Sequence, residues 1–138
     1  MRTDIAALGR EILNRLIIVG SPRTNGRSVH LANMLFETCI EECPDDELAL
    51  APVSTLNVAG CTGCNACRDN IAKLVELGEE ALDDDFAPCA IDDDMQEIYE
   101  LIDAADEITV VSPVYFAGPP SQLKALLDRL QPYYWTNA

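Results

Sequence analysis

The sequence predicts an α/β fold of three layers, with helices on both faces of a parallel sheet. Residues 15–20 (RLIIVG) and 107–112 (EITVVS) are apolar runs rich in β-branched residues, which are typical of strands buried on both faces. Apolar residues at helical spacing follow each run, so strands and helices alternate along the chain. With a weaker strand at 47–53, we predict three strands in the order 2-1-3.

The same patterns predict the remaining elements. Apolar positions three and four residues apart indicate helices at 1–14, 28–43, 71–82, 94–105 and 121–130. The second of these presents one apolar face, formed by Leu31, Met34, Leu35 and Cys39. Asp93 followed by Gln96 resembles a capping box at the start of helix 94–105. The aromatic segment 131–138 is predicted to be irregular.

Composition restricts the classes of function. The chain has 138 residues, of which 49% are hydrophobic and 24% charged, so one domain with its own core is expected. Nine basic and 24 acidic residues give a net charge of −15, which disfavours binding to nucleic acid or to anionic membranes. No apolar run approaches the roughly 20 residues of a membrane span, and residues 1–15 have no signal-peptide pattern. A cytoplasmic location is therefore expected.

The loop after the first strand is suited to binding an anion. Residues 20–28 (GSPRTNGRS) lead from a buried strand into a helix, where backbone N–H groups and the helix dipole favour negative charge. Arg23 and Arg27 add positive charge to an acidic chain. Hydroxyl donors are present at Ser21, Thr24 and Ser28. The segment lacks the Walker and G-x-G-x-x-G patterns, and an ordinary polar turn is the alternative.

The loop after the last strand is suited to a flat, apolar ligand. Pro113 and Gly118 are expected to fix a tight turn beside the anion site, because parallel strands end at the same edge of a sheet. Tyr115 and Phe116 offer planar apolar surface. The alternative is that these aromatic residues belong to the core or to an interface.

Both loops resemble those of the NADPH-dependent FMN reductase and iron–sulfur flavoprotein families, which have a flavodoxin-like fold. The first matching block is Gly20-Ser-Pro-Arg-x-x-Gly-x-Ser28, and the second runs from Ser112 to Arg129. The resemblance covers residues 15 to about 134. It implies that FMN is the cofactor, that NAD(P)H is a transient electron donor, and that the helix after the second loop contributes to a dimer.

The resemblance also implies which residues contact FMN, and no protein side chain is expected to act as acid or base. The implied phosphate-binding residues are Ser21, Arg23, Thr24, Asn25, Gly26 and Ser28. The implied residues for the ribityl chain and ring are Pro113, Val114, Tyr115, Phe116 and Gly118.

A group of cysteines predicts a second redox group. Cys61, Cys64 and Cys67 have the C-x2-C-x2-C spacing of the first three ligands of a bacterial [4Fe–4S] cluster. The resemblance implies Cys89 as the fourth ligand, although 21 residues separate it from Cys67. The Cys-rich tract at about 57–92 therefore reads as an insertion. A zinc site, a thiol/disulfide pair and unligated thiols are the alternatives.

The predicted sheet has fewer strands than the family's five. We therefore predict a single flavodoxin-like domain over 1–138 that lacks C-terminal strands. Its third strand would have an unpaired apolar edge, which favours a homo-oligomer or a partner chain covering that edge. The implied function is that of an FMN-dependent redox protein, and an NAD(P)H-dependent reductase is the favoured activity. It would transfer electrons from a nicotinamide or ferredoxin donor to a small-molecule or protein acceptor. A non-catalytic electron-transfer subunit or a cofactor-free fragment is the alternative.

Overall fold

The computed structural model describes residues 11–78 and 86–136. Its elements are β1 (Asn14–Val19), α1 (Arg27–Glu42), β2 (Glu47–Pro52), a 3₁₀ turn (Val53–Thr55), α2 (Ala66–Leu77), α3 (Met95–Ala104), β3 (Glu107–Val111), α4 (Ser121–Asp128) and α5 (Gln131–Thr136). Most of the helix predicted at 1–14 lies outside the described residues, and Asn14 belongs to β1.

The three strands form a parallel sheet in the order β2-β1-β3, which confirms the predicted fold class and strand order. Ile17 in the central strand pairs with Leu50 on one side and with Thr109 on the other. The apolar run of β1 is buried from Leu16 to Val19, with at most 2% of each residue exposed. Its lack of alternation therefore reflects helices on both faces.

Successive residues of β1 point to opposite faces and so build two separate cores. Ile17 and Val19 pack with Ala32 of α1 on one face. Leu16 and Ile18 pack on the other face, in a core that α3 and α4 complete with Met95, Ile98, Leu123 and Leu126. The chain thus crosses one face to reach β2 and the other to reach β3. In folds of this kind, ligands bind beyond the carboxyl ends of the strands at such a reversal, which here lies at β1 and β3.

The packed face of α1 differs from the predicted one. Val29, Leu35 and Phe36 flank Ala32 against the sheet, while Leu31 and Met34 are 56% and 51% exposed. Each residue turns the helix by about 100°, so Leu31 points to the side of the packed face and Met34 points away from the sheet. The prediction that Leu31 and Met34 share the packed face is therefore wrong.

Helix α2 begins at Ala66, five residues earlier than predicted, because the chain turns sharply just before it. Asn65 has a left-handed backbone with φ of 61°, and its carbonyl accepts the Arg68 N–H at 3.1 Å. Cys67 therefore lies in the first turn of a helix.

The segment 131–138 was predicted to be irregular, and this is wrong for its described part, which is α5. Pro132 is tolerated because it lies in the first turn, where its missing N–H has no helical partner. The Tyr133 hydroxyl donates to Asp103 at 2.7 Å, and its ring stacks edge-on against Tyr99 at 6.0 Å. These contacts attach α5 to α3.

Strand β3 forms one edge of the sheet, and its apolar residues are partly uncovered. Ile108 and Val110 are each 45% exposed. An edge strand of this kind carries unpaired backbone groups beside apolar surface. In the part of the chain that is described, no helix combines the length and apolar character needed to cross a membrane.

Candidate functional site

The phosphate loop, residues 20–28, lies directly after β1 and ends at the start of α1. Helix α1 is 16 residues long, has no side-chain cap on its first N–H groups and carries no acidic residue in its first turn. The positive end of its dipole is therefore available to an anion. Gly26 precedes the helix with φ of 117°, a conformation that side chains rarely adopt.

Two side chains of the phosphate loop are oriented by local contacts. The Ser21 side chain is buried, and its Oγ accepts the Arg23 backbone N–H at 3.2 Å, which leaves the hydroxyl proton to be donated. The Arg23 guanidinium carbon lies 3.9 Å from where a Cβ on Gly26 would be, so its charge is close to the helix start. Thr24 and Asn25 are exposed, and Ser28 is half-buried.

The ring loop, residues 113–120, follows β3 and contains a tight turn. The N–H of Tyr115 donates to the Gly118 carbonyl at 2.9 Å, and the reverse bond measures 3.0 Å. Phe116 and Ala117 occupy the centre of the turn with φ of 44° and 62°. The tight turn is thus present, but its centre is formed by these two residues. Gly118 closes the turn, and Pro113 lies before it. A left-handed phenylalanine stores strain of about 1–3 kcal/mol.

This turn presents its apolar side chains to the outside. Phe116 is fully exposed, Val114 is 76% exposed and Tyr115 is 45% exposed. Exposed aromatic surface on a strained turn is suited to packing against a planar ligand.

The two loops begin in close contact. The N–H of Gly20 donates to the Val111 carbonyl at 2.8 Å. A Cβ on Gly20 would lie 2.5 Å from Leu123 Cδ2 and 2.9 Å from Ser112 Oγ. A glycine is therefore required where the phosphate loop, the ring loop and α4 meet.

The cysteine segment leaves the sheet at the same edge, beyond the carboxyl end of β2. Gly63 and Asn65 have left-handed backbones, one in each gap of the C-x2-C-x2-C motif, and these curl the segment. The Gly63 N–H donates to Cys61 Sγ at 3.4 Å. Hydrogen bonds from the Ala66 backbone N–H and the Thr62 side chain lower the pKa of the Cys64 thiol below its usual 9.0.

All four predicted cysteines line one cavity of about 230 Å³, which we call the cysteine cavity; its walls also include Ile91, Arg129 and Gln131. Cys61 and Cys64 are exposed, whereas Cys67 and Cys89 are half-buried. Across residues 11–78 and 86–136, no three His, Cys, Asp or Glu side chains are grouped closely enough to hold a metal ion as they stand. The thiols thus surround a space instead of meeting at one point.

Comparisons with known proteins identify the family of the chain. The family described as NADPH-dependent FMN reductase matches residues 13–137. The chain belongs to this family.

Curated relatives of the chain are iron–sulfur flavoproteins of archaea. The one from Methanosarcina thermophila is 39% identical over 112 residues, which are 81% of this chain and 49% of the relative. That from Methanocaldococcus jannaschii is 34% identical over 83% of this chain and 50% of its own length. That from Archaeoglobus fulgidus is 30% identical over 84% of this chain and 44% of its own length. The chain thus spans about half the length of these relatives.

Arg129 and Asp93 were not predicted as part of the site, although both border the cysteines. Their side chains form an ion pair with oxygen–nitrogen distances of 2.8 and 3.0 Å, and only 1% and 5% of them are exposed. Arg129 ends the second sequence block, but an arginine after an amphipathic helix reads as a surface residue. Asp93 was expected to cap α3 with Gln96. The Asp93 side chain does accept the Met95 N–H at the start of α3 at 3.1 Å, but the Gln96 amide donates to the carbonyls of Cys89 and Ile91.

Burial and hydrogen bonding act in opposite directions on this ion pair. Burial raises the pKa of Asp93, but hydrogen bonds from Arg129 and from the backbone N–H groups of Ala59 and Met95 outweigh it and lower the pKa below 3.8. Burial lowers the pKa of Arg129, whereas the hydrogen bonds to Asp93 and the charge of its carboxylate raise it above its ordinary value. Both side chains are therefore charged at neutral pH.

Proposed function

We propose that the chain is a flavin-dependent redox protein that binds FMN across the phosphate loop and the ring loop. The observation that carries this proposal is the contact between the loops that follow β1 and β3, of which one leads into an uncapped helix start and the other carries exposed aromatic surface. Membership of the NADPH-dependent FMN reductase family supports the same cofactor.

Within this proposal, the phosphate of FMN lies at the start of α1. The Ser21 hydroxyl and the free N–H groups of the helix donate to phosphate oxygens, and Arg23 supplies positive charge. Thr24, Asn25, Gly26 and Ser28 complete the phosphate loop. Pro113, Val114, Tyr115, Phe116 and Gly118 hold the ribityl chain and ring and exclude water from one side of the flavin.

We further propose that the cysteine cavity holds a [4Fe–4S] cluster on Cys61, Cys64, Cys67 and Cys89. A zinc ion would need its four sulfurs about 2.3 Å from a single point. The cavity of about 230 Å³ is several times the roughly 30 Å³ of one water molecule, and its thiols surround it. This size and donor set fit a group of several atoms better than one ion. The relatives named as iron–sulfur flavoproteins support the cluster.

When bound, the flavin supplies exchange between two-electron and one-electron steps, and an iron–sulfur cluster supplies single-electron transfer. The protein's own residues bind and orient these groups. Backbone N–H groups that donate to Cys61 and Cys64 stabilise the thiolate charge required for ligation. NAD(P)H or a reduced ferredoxin is the proposed electron donor, and a small molecule or a protein is the acceptor.

The phosphate assignment is tested with Arg23→Ala. Removing a charged partner of the phosphate should weaken FMN binding by about 10- to 100-fold in a fluorescence titration. The matched control is Arg68→Ala, because Arg68 is exposed and forms an ion pair with the neighbouring, exposed Asp69. Unchanged FMN affinity in Arg23→Ala would contradict the assignment.

The cluster assignment is tested by iron and sulfide analysis after anaerobic reconstitution. Wild-type protein is expected to bind four iron atoms per chain, and Cys89→Ser should lose most of them. Cys43→Ser is the control, because Cys43 ends α1 away from the cavity lining. Equal iron content in Cys89→Ser and wild type would exclude Cys89 as a ligand. A content of one zinc per chain would instead identify the cavity as a zinc site.

A second candidate function is a non-catalytic electron carrier that requires another polypeptide. The exposed Ile108 and Val110 on the β3 edge favour it, because such an edge pairs readily with another chain. We expect a second copy of this chain to pair with the β3 edge. The molar mass from light scattering after gel filtration tests this expectation. Steady-state oxidation of NADPH with ferricyanide by the flavin-loaded protein would support the reductase. Absence of turnover with bound FMN would support the carrier.

A further inference from the structure

Arg129 is the largest side chain among the residues that are almost completely buried, and it follows the last residue of α4. Arginine has five N–H donors and no acceptor. Four contacts use the two terminal nitrogens. Nη1 donates to the Ala59 carbonyl at 3.0 Å and to Asp93, while Nη2 donates to the Ile91 carbonyl at 3.2 Å and to Asp93.

These acceptors join the two cysteine-bearing segments. Ala59 lies two residues before Cys61, and Ile91 lies two residues after Cys89. Asp93 also accepts the Ala59 N–H at 2.8 Å, so the ion pair binds this residue through both its carbonyl and its amide. The ion pair thus connects the segment before Cys61 with the segment after Cys89. The relative position of the cysteines therefore need not be fixed by the 21 residues between Cys67 and Cys89.

The fifth donor of Arg129 is left over. Its Nε is buried and has no hydrogen-bond partner, although Arg129 lines the cysteine cavity. A buried donor without an acceptor is unfavourable, because it has lost its hydrogen bonds to water. The acceptors that the cavity would gain when loaded are sulfur atoms, and Cys89 lines the same cavity as Arg129.

We propose that Arg129 is the positioning residue of the cysteine cavity, holding the segments of Cys61 and Cys89 together and directing its Nε–H to a sulfur of the bound cluster. This inference rests on the proposed cluster. A positive donor at a sulfur stabilises the reduced cluster, which carries one more negative charge, and so raises the reduction potential.

The test is an anaerobic redox titration of the reconstituted protein, followed by electron paramagnetic resonance. Arg129→Lys keeps the positive charge, but lysine has no guanidinium group and therefore lacks the Nε–H donor. At the wild-type midpoint potential, its ratio of reduced to oxidised cluster should fall by about tenfold. Lys124→Met, on the exposed side of α4, should leave the ratio unchanged.

A second variant removes the buried charges together. Arg129→Gln combined with Asp93→Asn leaves neither charge unpaired, and it should lower the same ratio, since it also lacks the donor. A wild-type potential retained in both variants would overturn the inference. If neither variant folds, the Arg129 Nε–H resonance of wild-type protein decides, because loading the cluster should slow its exchange with solvent and an unchanged rate would overturn it. Failure of wild-type protein to bind iron would instead reject the proposed cluster.

Discussion

The phosphate and ring loops each follow one strand directly, whereas the cysteine cavity is assembled from three separate segments of the chain. The loops are positioned by β1 and β3, which are hydrogen-bonded neighbours. The cavity segments lie at 61–67, 89–91 and 129–132, and a buried ion pair between Arg129 and Asp93 connects them. Backbone topology therefore determines the first region, and long-range side-chain contacts determine the second.

The largest effect on stability is expected when the Asp93 carboxylate is removed from the cysteine region. Asp93→Ala leaves the Arg129 charge buried without its partner, which should lower the free energy of unfolding by about 3–5 kcal/mol. Asp92→Ala is the control, because Asp92 is exposed, and it should change stability by less than about 0.5 kcal/mol. Urea denaturation measures both. Equal stabilities would mean that the ion pair does not hold this region together.

The lowered pKa of Asp93 predicts that the stability of the fold depends on pH. Because the folded pKa of Asp93 lies below 3.8, its contribution is complete above that pH and is lost as the pH falls through the folded value. The stability difference between wild type and Asp93→Asn should therefore be constant near neutral pH and shrink below about pH 3.8. Thermal unfolding across this range measures it. A difference that stays constant in acid would contradict the lowered pKa.

An intermediate effect is expected where the two flavin loops meet. Gly20→Ala places a Cβ 2.5 Å from Leu123, and this overpacking should cost about 1–3 kcal/mol and weaken FMN binding. Gly60→Ala is the matched control, since no atom lies within 4 Å of its added Cβ. Denaturant midpoints and FMN titration are measured for both. A stable Gly20→Ala protein with unchanged FMN affinity would contradict the close approach of the loops.

The smallest effect is expected at the strained turn of the ring loop. Ala117 has φ of 62°, so Ala117→Gly should raise the free energy of unfolding by about 1 kcal/mol by relieving strain. The same substitution at Ala105, which has φ of −79°, should lower it. Changes of the same sign at both positions, measured by thermal unfolding, would argue against backbone strain in this turn.

The difference between the regions also explains what could be predicted from the sequence. The apolar runs at 15–20 and 107–112 predict buried parallel strands, because burial on both faces removes alternation. The loops that follow are then placed by the strands. The C-x2-C-x2-C spacing is a local pattern, so it too is visible in one segment.

The features that escaped prediction depend on contacts distant in sequence. Arg129 donates to Ala59, 70 positions away, and no local pattern distinguishes it from a surface arginine. Helix α5 forms because Tyr133 packs on Tyr99 and bonds Asp103, although its composition is typical of a loop. Leu31 and Met34 have helical spacing but are exposed, since the helix packs on the sheet through the buried Ala32.

The most direct test of the account is an absorption spectrum of the 138-residue protein purified without oxygen, with FMN and iron quantified on the same sample. We expect a flavin spectrum with a broad cluster shoulder, close to one FMN and four iron atoms per chain. A colourless protein that takes up neither FMN nor iron on reconstitution would contradict the proposal that these loops and cysteines form a redox site.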